Sequence, residues 1–381
     1  MTRTSSLYAY YDRVSHRKNL KLLAKHQVIE IVFDKHLTAT AVKALDRDNE
    51  QHVTFKAKKE VILAAGAIFT PQVLQLSGIG PKDVLTAAGV KTKLDLPAVG
   101  SNFQDHPVAY LSWNITSSFP SSGSLLTNAT FFEEARQLYI DDLTGPLTKA
   151  QSSYIGFLSL ELITNNSKAI LADAEATSAS DFLPEVYSGN KALIAGFEAQ
   201  RDVLIKSIRA GDVAVLELPV SGGGLIPNAM QKPFSRGTVH INATNPTGVP
   251  VVLHNSLAHP FDSATIFESL QFTRRLVNSK SVSSLAPVEL TPGAHYNEKN
   301  ATIARLIASG GLSPTFSHPS CSCPMMPRHL GGVVDSELRV YGTNKLSIVD
   351  ASILPIIPAA HLQATMYSVA EKAADIIKAR A

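Results

Sequence analysis

The sequence predicts a mixed fold, α/β in texture toward its two ends and α+β in the middle, where an antiparallel sheet is backed by helices. Three observations lead there. Short alternating strands and helices share the first hundred residues; strands and long amphipathic helices come in separate runs in the middle; and a buried-strand pattern followed by an amphipathic helix closes the chain. Separate runs of strand and helix argue against a βαβ repeat in the middle region. A chain of 381 residues exceeds one ordinary domain and suits two, and 45% apolar with 18% charged content is enough to bury a large core.

The stretch LKLLAKHQVIEIVFD ends in a period-2 pattern. Val28, Glu30 and Val32 stand against Ile29, Ile31 and Phe33, as in a strand buried on one or both faces. HVTFKA alternates through Val53, Phe55 and Ala57, and residues 46–49 supply a turn before it. KKEVILAAGAIFT reads as a strand running into a glycine. The next segment, TPQVLQLSGIG, reads as a helix with Thr70 as N-cap, Pro71 at its first position and residues 77–80 as its stop. PKDVLTAAGV is a second short helix ending at Gly89, and DLPAVGSNFQDHP is a loop. WNITSSFPSSGSLLTNAT, rich in Ser, Thr and Asn, reads as a surface excursion. NKALIAGFEAQRDVLIKSIRAG is an amphipathic helix, and VAVLELPV and RGTVHINAT are alternating strands. HPFDSATIFESLQFTRRLVNS is a long helix with Asp262 near its start and Arg274 and Arg275 near its end, as the helix dipole favours. KLSIVDASILP is a buried strand, and ATMYSVAEKAADIIKAR a final amphipathic helix.

Composition narrows the function. The net charge is +3 and the basic residues are scattered, with no Lys/Arg block or basic–aromatic stripe, which argues against nucleic acid. The longest nearly unbroken apolar run, residues 61–69, is about half of what a membrane-spanning helix needs. Cys321 and Cys323 are too few for a disulfide framework, and an i,i+2 pair does not readily reach disulfide geometry. With His318 they offer three ligands from one loop and no fourth, so no metal centre is expected. GxGxxG, P-loop, GxSxG and HExxH motifs do not occur, and the glycine cluster at residues 222–224 reads as a turn. The N-terminus carries no signal-like apolar core, whereas five glycosylation sequons occur, at Asn114, Asn128, Asn165, Asn242 and Asn300. These point in opposite directions and leave localisation open.

Two of the twelve histidines sit in unusual settings. His318 lies in FSHPSCSCPMMPRHLGG and His361 in ILPIIPAAHLQATMYS, each where a buried element hands over to a loop. That is the usual place for a side chain aimed into a cleft. Two converging imidazoles could divide the work of accepting and holding an alcohol proton. Spacing alone goes no further.

KKEVILAAGAIFTPQVLQLSGIGPKDVLTAAGV followed by DLPAVGSNFQDHP resembles a signature region of the glucose–methanol–choline (GMC) flavin oxidoreductases. The run SHPSCSCPMMPRHLGGVVDSELRVYGTNKLSIVDASILPIIPAAHLQATMYSVAEKAADIIKA is similar to that family almost position by position. PFSRGTVHIN and HPFDSATIF resemble its middle and C-terminal segments, while residues 111–224 match poorly. The resemblance implies FAD as cofactor. It implies an FAD-binding lobe assembled from residues 1–108 and 316–381, with Asp350 near the strand end at residues 64–66, and a substrate-binding domain at residues 109–315. It implies that His318 takes the substrate hydroxyl proton as hydride passes from the same carbon to the flavin. His361 then fills the second catalytic position, as in the glucose oxidase and aryl-alcohol oxidase branches. A neutral imidazole suits this task, with a pKa close to the operating pH.

Flavin contacts are implied at Asp350 and Ala351, in the family's VDAS/IDGS turn, and at Val28, beside the adenine. They are also implied at Leu362 and Thr365, where a helix beginning near Ala364 aims its N–H groups at the flavin's pyrimidine end. The implied partners are a small-molecule alcohol and an electron acceptor, either oxygen or a quinone-like compound; neither nucleic acid nor membrane is among them. Cys321 and Ser322 replace the glycine and threonine of the family's HPxGT, which predicts crowding of the turn that aims His318. Some members of this fold perform lyase or cyclase chemistry, an alternative that stays open. The family's opening glycine-rich βαβ unit and active-site-loop signature have no counterpart here, so the sequence reads as a truncated member lacking about two hundred N-terminal residues, expected, when purified as it stands, neither to hold FAD tightly nor to turn over alcohols. A non-catalytic remnant is a further alternative. Family and sequons together suggest secretion.

Overall fold

The computed structural model describes residues 4–116, 123–148, 154–220 and 223–380. Residues 117–122 of the polar excursion and Gly222 of the glycine cluster therefore lie outside the described residues.

Strands His26–Phe33, Ala39–Asp46 and Gln51–Lys56 form a three-stranded antiparallel meander in chain order. Apolar periodicity marks the outer two. The middle strand escapes it because its buried positions are Ala39, Ala41 and Ala44, small residues that pack closely but give a faint apolar signal. Strand Val61–Leu63 buries Val61 and Leu63 and exposes Ile62. It pairs in parallel with Leu346–Ile348, Val61 opposite Leu346 and Leu63 opposite Ile348. A parallel pair needs a long crossover, and here the whole middle of the chain supplies it. The two ends share one core, in which Ile31, Leu63, Leu74 and Val99 meet Val333, Leu346, Ile348 and Ile353. Phe182, Leu193 and Phe197 join the same core.

The helix after Val61–Leu63 spans Gly66–Leu76 and starts ahead of Thr70 and Pro71, so neither residue opens it. Gly66, at φ 82°, makes the turn from strand into helix. Pro71 lies inside and has no N–H for the carbonyl four residues back, that of Ala67. Ser322 Oγ donates to that carbonyl at 2.6 Å instead. Thr70, whose hydroxyl donates to Asp350 at 2.5 Å, is a tertiary contact and not a cap.

The middle of the chain forms a six-stranded antiparallel sheet. Its order is Val288–Thr291, Val108–Asn114, Leu225–Met230, Leu216–Val220 and Tyr154–Leu158, and Leu312–Ser313 also pairs with Val108–Asn114. Helices Lys191–Arg209 and Pro260–Val277 cover it. Leu204, Ile208, Phe261, Ile266 and Leu270 are buried with Leu111, Trp113, Leu216 and Leu218 of the sheet. Each such side chain contributes about 1.5–3 kcal/mol when fully buried.

Asp262 does not stand in solvent against the dipole of its helix. It is fully buried and accepts from the Phe234 and Ser235 N–H groups at 2.8 and 3.0 Å, stapling the preceding loop to the helix start. Burial pushes its carboxyl up to about 6. The N-cap is His259, also fully buried, whose Nδ1 accepts from Phe261 N at 3.0 Å. An accepting Nδ1 requires a neutral ring, and burial, then Arg236 and Arg201, push the His259 pKa down to about 4. Burial does the same to His240.

Unfolded histidines titrate near 6.5, so between about pH 6.5 and 4 the unfolded chain binds protons that the folded rings refuse. Stability then falls as pH falls, by up to about 1.4 kcal/mol per pH unit for each ring. Asp262 acts in the opposite sense, since its raised pKa lets the folded state keep a proton that the unfolded carboxyl has lost. Urea midpoints are expected to drop from pH 7 to pH 5, and His259→Asn, which keeps a capping acceptor, is expected to flatten that drop. An unchanged slope in the variant would mean that His259 is not the proton-linked cap.

Candidate active site

The buried loop at residues 102–106 organises the site. Gln104 exchanges backbone hydrogen bonds with Ser320, at 3.1 and 2.9 Å. Asn102 Nδ2 donates to the carbonyls of Cys321 and Pro355 at 3.2 and 3.0 Å, and Gln104 Oε1 accepts from Ile357 N at 3.2 Å. The loop thereby grips the segments that carry His318 and lead into His361. The N–H groups of Cys321, Cys323 and Met325 in turn donate to the carbonyls of Ala351, Ser352 and Ile353, at 3.0, 2.8 and 2.8 Å. These bonds lay the His318 loop along the Asp350 turn.

His318 and His361, 43 residues apart in sequence, approach to 5.3 Å between ring centroids. His318 is half-buried. The His361 side chain is 51% exposed, yet its Nε2 lies 2.6 Å from Oε1 of Glu217, which is fully buried. Gln231 Nε2 donates to the other Glu217 oxygen at 3.0 Å, so the carboxylate is held from both sides. A third ring stands behind. His106 is fully buried, and its Nδ1 lies 2.9 Å from Nδ1 of His318 with the rings edge-on at 80°. Asp105 ties the two together, accepting from His106 N at 2.7 Å, His318 N at 3.1 Å and Thr315 Oγ1 at 2.6 Å.

Burial, then the His361 ring, push His318 down to about 4. His106 lies well below its ordinary value, through burial and then His318. Both rings are neutral at pH 7. The His318 pKa nevertheless falls well short of the near-neutral value expected from an isolated imidazole. A desolvated ring among other imidazoles is a poor place for a proton.

Cys321, at φ 72°, occupies the left-handed region that favours glycine. The crowding expected there leaves the His318 N–H bonded to Asp105. Burial pushes the Cys321 thiol up to about 12. Asp350 is buried and engages both oxygens within the protein. Oδ2 accepts from Gly66 N at 3.0 Å and Thr70 Oγ1 at 2.5 Å, and Oδ1 from Ser352 N at 2.8 Å. Ala351 is half-buried in the same turn. The final helix, Leu362–Ala379, begins two residues ahead of Ala364, with Leu362 buried and Thr365 half-buried.

Val28 lies elsewhere. It lines an open cleft of about 460 Å³ with Ile31, Ile62, Ala64, Ala65 and Phe69. A register shift between Val28 and Glu30 bends the strand beside it. Among the described residues, no group of three His, Cys, Asp or Glu side chains is placed to hold a metal, and no helix is long and apolar enough to cross a membrane.

Sequence reasoning passed over His106 and Glu217. Each had a signal: His106 sits inside FQDHP, and Glu217 is a lone charge between leucines on an alternating strand, LEL.

Family models described as GMC oxidoreductase match residues 1–108 and 233–370. The "Dehydrogenase xptC" of Emericella nidulans is 37% identical over 384 residues, which cover 99% of this chain and 61% of that protein. The "GMC oxidoreductase family protein Mala s 12" of Malassezia sympodialis is 33% identical, over 98% of this chain and 58% of its own length. Among solved structures, an FAD-dependent oxidoreductase from Chaetomium thermophilum is similar with a TM-score of 0.93 at 35% identity, covering 100% of this chain and 65% of that one. A fungal aryl-alcohol oxidase is similar with a TM-score of 0.91 at 34% identity, covering 98% of this chain and 64% of that one. The chain thus spans about six tenths of the length of the curated relatives it matches, 61% and 58% for these two. With both matched segments and the fold in agreement, the chain belongs to the GMC oxidoreductase family.

Proposed function

We propose that this chain serves an FAD-dependent oxidation of a small-molecule alcohol to its carbonyl. The observation that carries the reading is the convergence of His318 and His361, 5.3 Å apart, in a chain of this family. His318, neutral at pH 7, accepts the hydroxyl proton. His361, held by the buried Glu217, stands beside His318 as the second residue about the hydroxyl. FAD, when bound, supplies the hydride acceptor, so the carbon gives up a hydride as its oxygen gives up a proton. Oxygen or a quinone-like compound then takes the electrons.

The residues present suit that cofactor. Val28, Ile62 and Phe69, 37%, 46% and 47% exposed, give the 460 Å³ cleft outward-facing apolar walls fit for an adenine ring. Leu362 and Thr365 open a long helix whose first N–H groups and partial positive charge favour an electron-rich ring edge. Asp350 and Ala351 shape the turn that packs against the His318 loop. The aryl-alcohol oxidase likeness makes benzylic alcohols the first substrates to try.

With FAD supplied in excess and oxygen removed, a benzylic alcohol is expected to bleach the yellow flavin absorbance only when the protein is present. Flavin that stays oxidised across primary and secondary alcohols would overturn the reading. An alcohol consumed while the flavin stays yellow would favour lyase or cyclase chemistry.

A further inference from the structure

We infer that His106 is a positioning residue that holds His318 in the tautomer with its lone pair on Nε2. The inference deepens the reading of His318 as proton acceptor and rests on it.

The two Nδ1 atoms are 2.9 Å apart, so a single proton lies between them, and its owner decides where His318 keeps its lone pair. His318 Nδ1 is engaged by His106, so Nε2 is the ring nitrogen left for a substrate hydroxyl, and a neutral ring that accepts a proton there carries its own N–H on Nδ1. On that reading His318 donates from Nδ1 and His106 accepts at Nδ1, with the His106 proton on its buried Nε2. A neutral imidazole has one N–H, so His318 Nε2 is left with a free lone pair. The opposite arrangement would place an N–H on Nε2 and spoil that atom as an acceptor.

The surroundings reinforce the arrangement. Lys232, buried and donating to the Ile357 carbonyl, joins His318 in disfavouring a cationic His106. Asp105 holds the backbone N–H of both histidines, which fixes the two stretches of backbone from which the rings meet.

The test reads the nitrogen directly. In the full chain labelled with ¹⁵N-histidine, long-range proton–nitrogen spectra at pH 7 are expected to show His318 as the Nδ1–H tautomer and His106 as Nε2–H. The His318 signals would be assigned by their loss in His318→Ala. His106→Phe, which removes the acceptor at similar volume, is expected to shift His318 toward the Nε2–H form. His106→Asn, whose Oδ1 stands near the place of Nδ1, is expected to restore Nδ1–H. An Nε2–H His318 in the unmodified chain, or a His318 unmoved by His106→Phe, would overturn the inference. If the Phe variant does not fold, the tautomer in the unmodified chain and in His106→Asn decides. None of these readouts needs turnover, so a failure of the proposed function is distinguishable from a failure of this assignment.

Discussion

Replacing His318 by alanine is expected to lower alcohol turnover by about 10²–10⁴-fold, the range in which a positioned acid or base accelerates proton transfer, with flavin absorbance unchanged at matched FAD. The ring stands at the proposed reacting oxygen, whereas the proposed cofactor contacts are made by other residues, at the Val28 cleft and the Asp350 turn. Loss of the base should therefore spare cofactor binding. The pH profile supplies a second reading. Burial and His361 push the ring to about 4, so it stays unprotonated through weak acid. Turnover is expected to hold level from about pH 8 to about pH 5 and to fall toward pH 4, as the acceptor lone pair is lost. Unchanged turnover in the variant would remove His318 from the chemistry. An acid limb near pH 6.5 would mean that an ordinary, solvated imidazole controls the rate.

Asp350→Ala is expected to destabilise the chain by on the order of 4 kcal/mol. Its carboxylate accepts from Gly66 N, Thr70 Oγ1 and Ser352 N, and alanine leaves all three without that partner. Hydrogen bonds to a charged acceptor are worth roughly 1.5–3 kcal/mol each, and bonds sharing one carboxylate fall short of their sum. A loss of this size is a large part of the 5–15 kcal/mol that typical domains have in total, roughly speaking. Urea unfolding would show it as a lowered midpoint at constant slope. Asp350→Asn keeps one accepting oxygen but turns an NH₂ toward the Gly66 or Ser352 donors, and should fall between the two. A loss below about 1 kcal/mol in the alanine variant would mean that water satisfies the freed donors.

Asp350 also illustrates what a motif conveys. The VDAS match drew attention to the residue as a cofactor contact, whereas its carboxylate is used to join the end of Val61–Leu63 and the start of Gly66–Leu76 to the C-terminal turn. Its proposed part in the cofactor site is thus the shape of the turn. Val28 shows the converse. A strand residue of ordinary type, exposed at 37%, gains meaning only from the open cleft its neighbours build.

The sequence by itself determined those features whose physics is local. Apolar periodicity belongs to a few consecutive residues, so helices Lys191–Arg209, Pro260–Val277 and Leu362–Ala379 and the strand in QVIEIVF were legible. The family motifs were legible for the same reason, as was the pair His318 and His361. Tertiary structure alone decided the rest. Pro71 sits inside a helix because Ser322, far along the chain, donates to the carbonyl it leaves free. Asp262 is buried because a loop closes over it with two N–H donors. His106 and Glu217 join the site because the loop at 102–106 and the strand Leu216–Val220 reach the C-terminal segment only after folding. The neutral state of His318 belongs to the same class. A pKa reports the solvent and charges around a group, and for His318 those are set by burial and by His361, 43 positions away in sequence and one ring away in space.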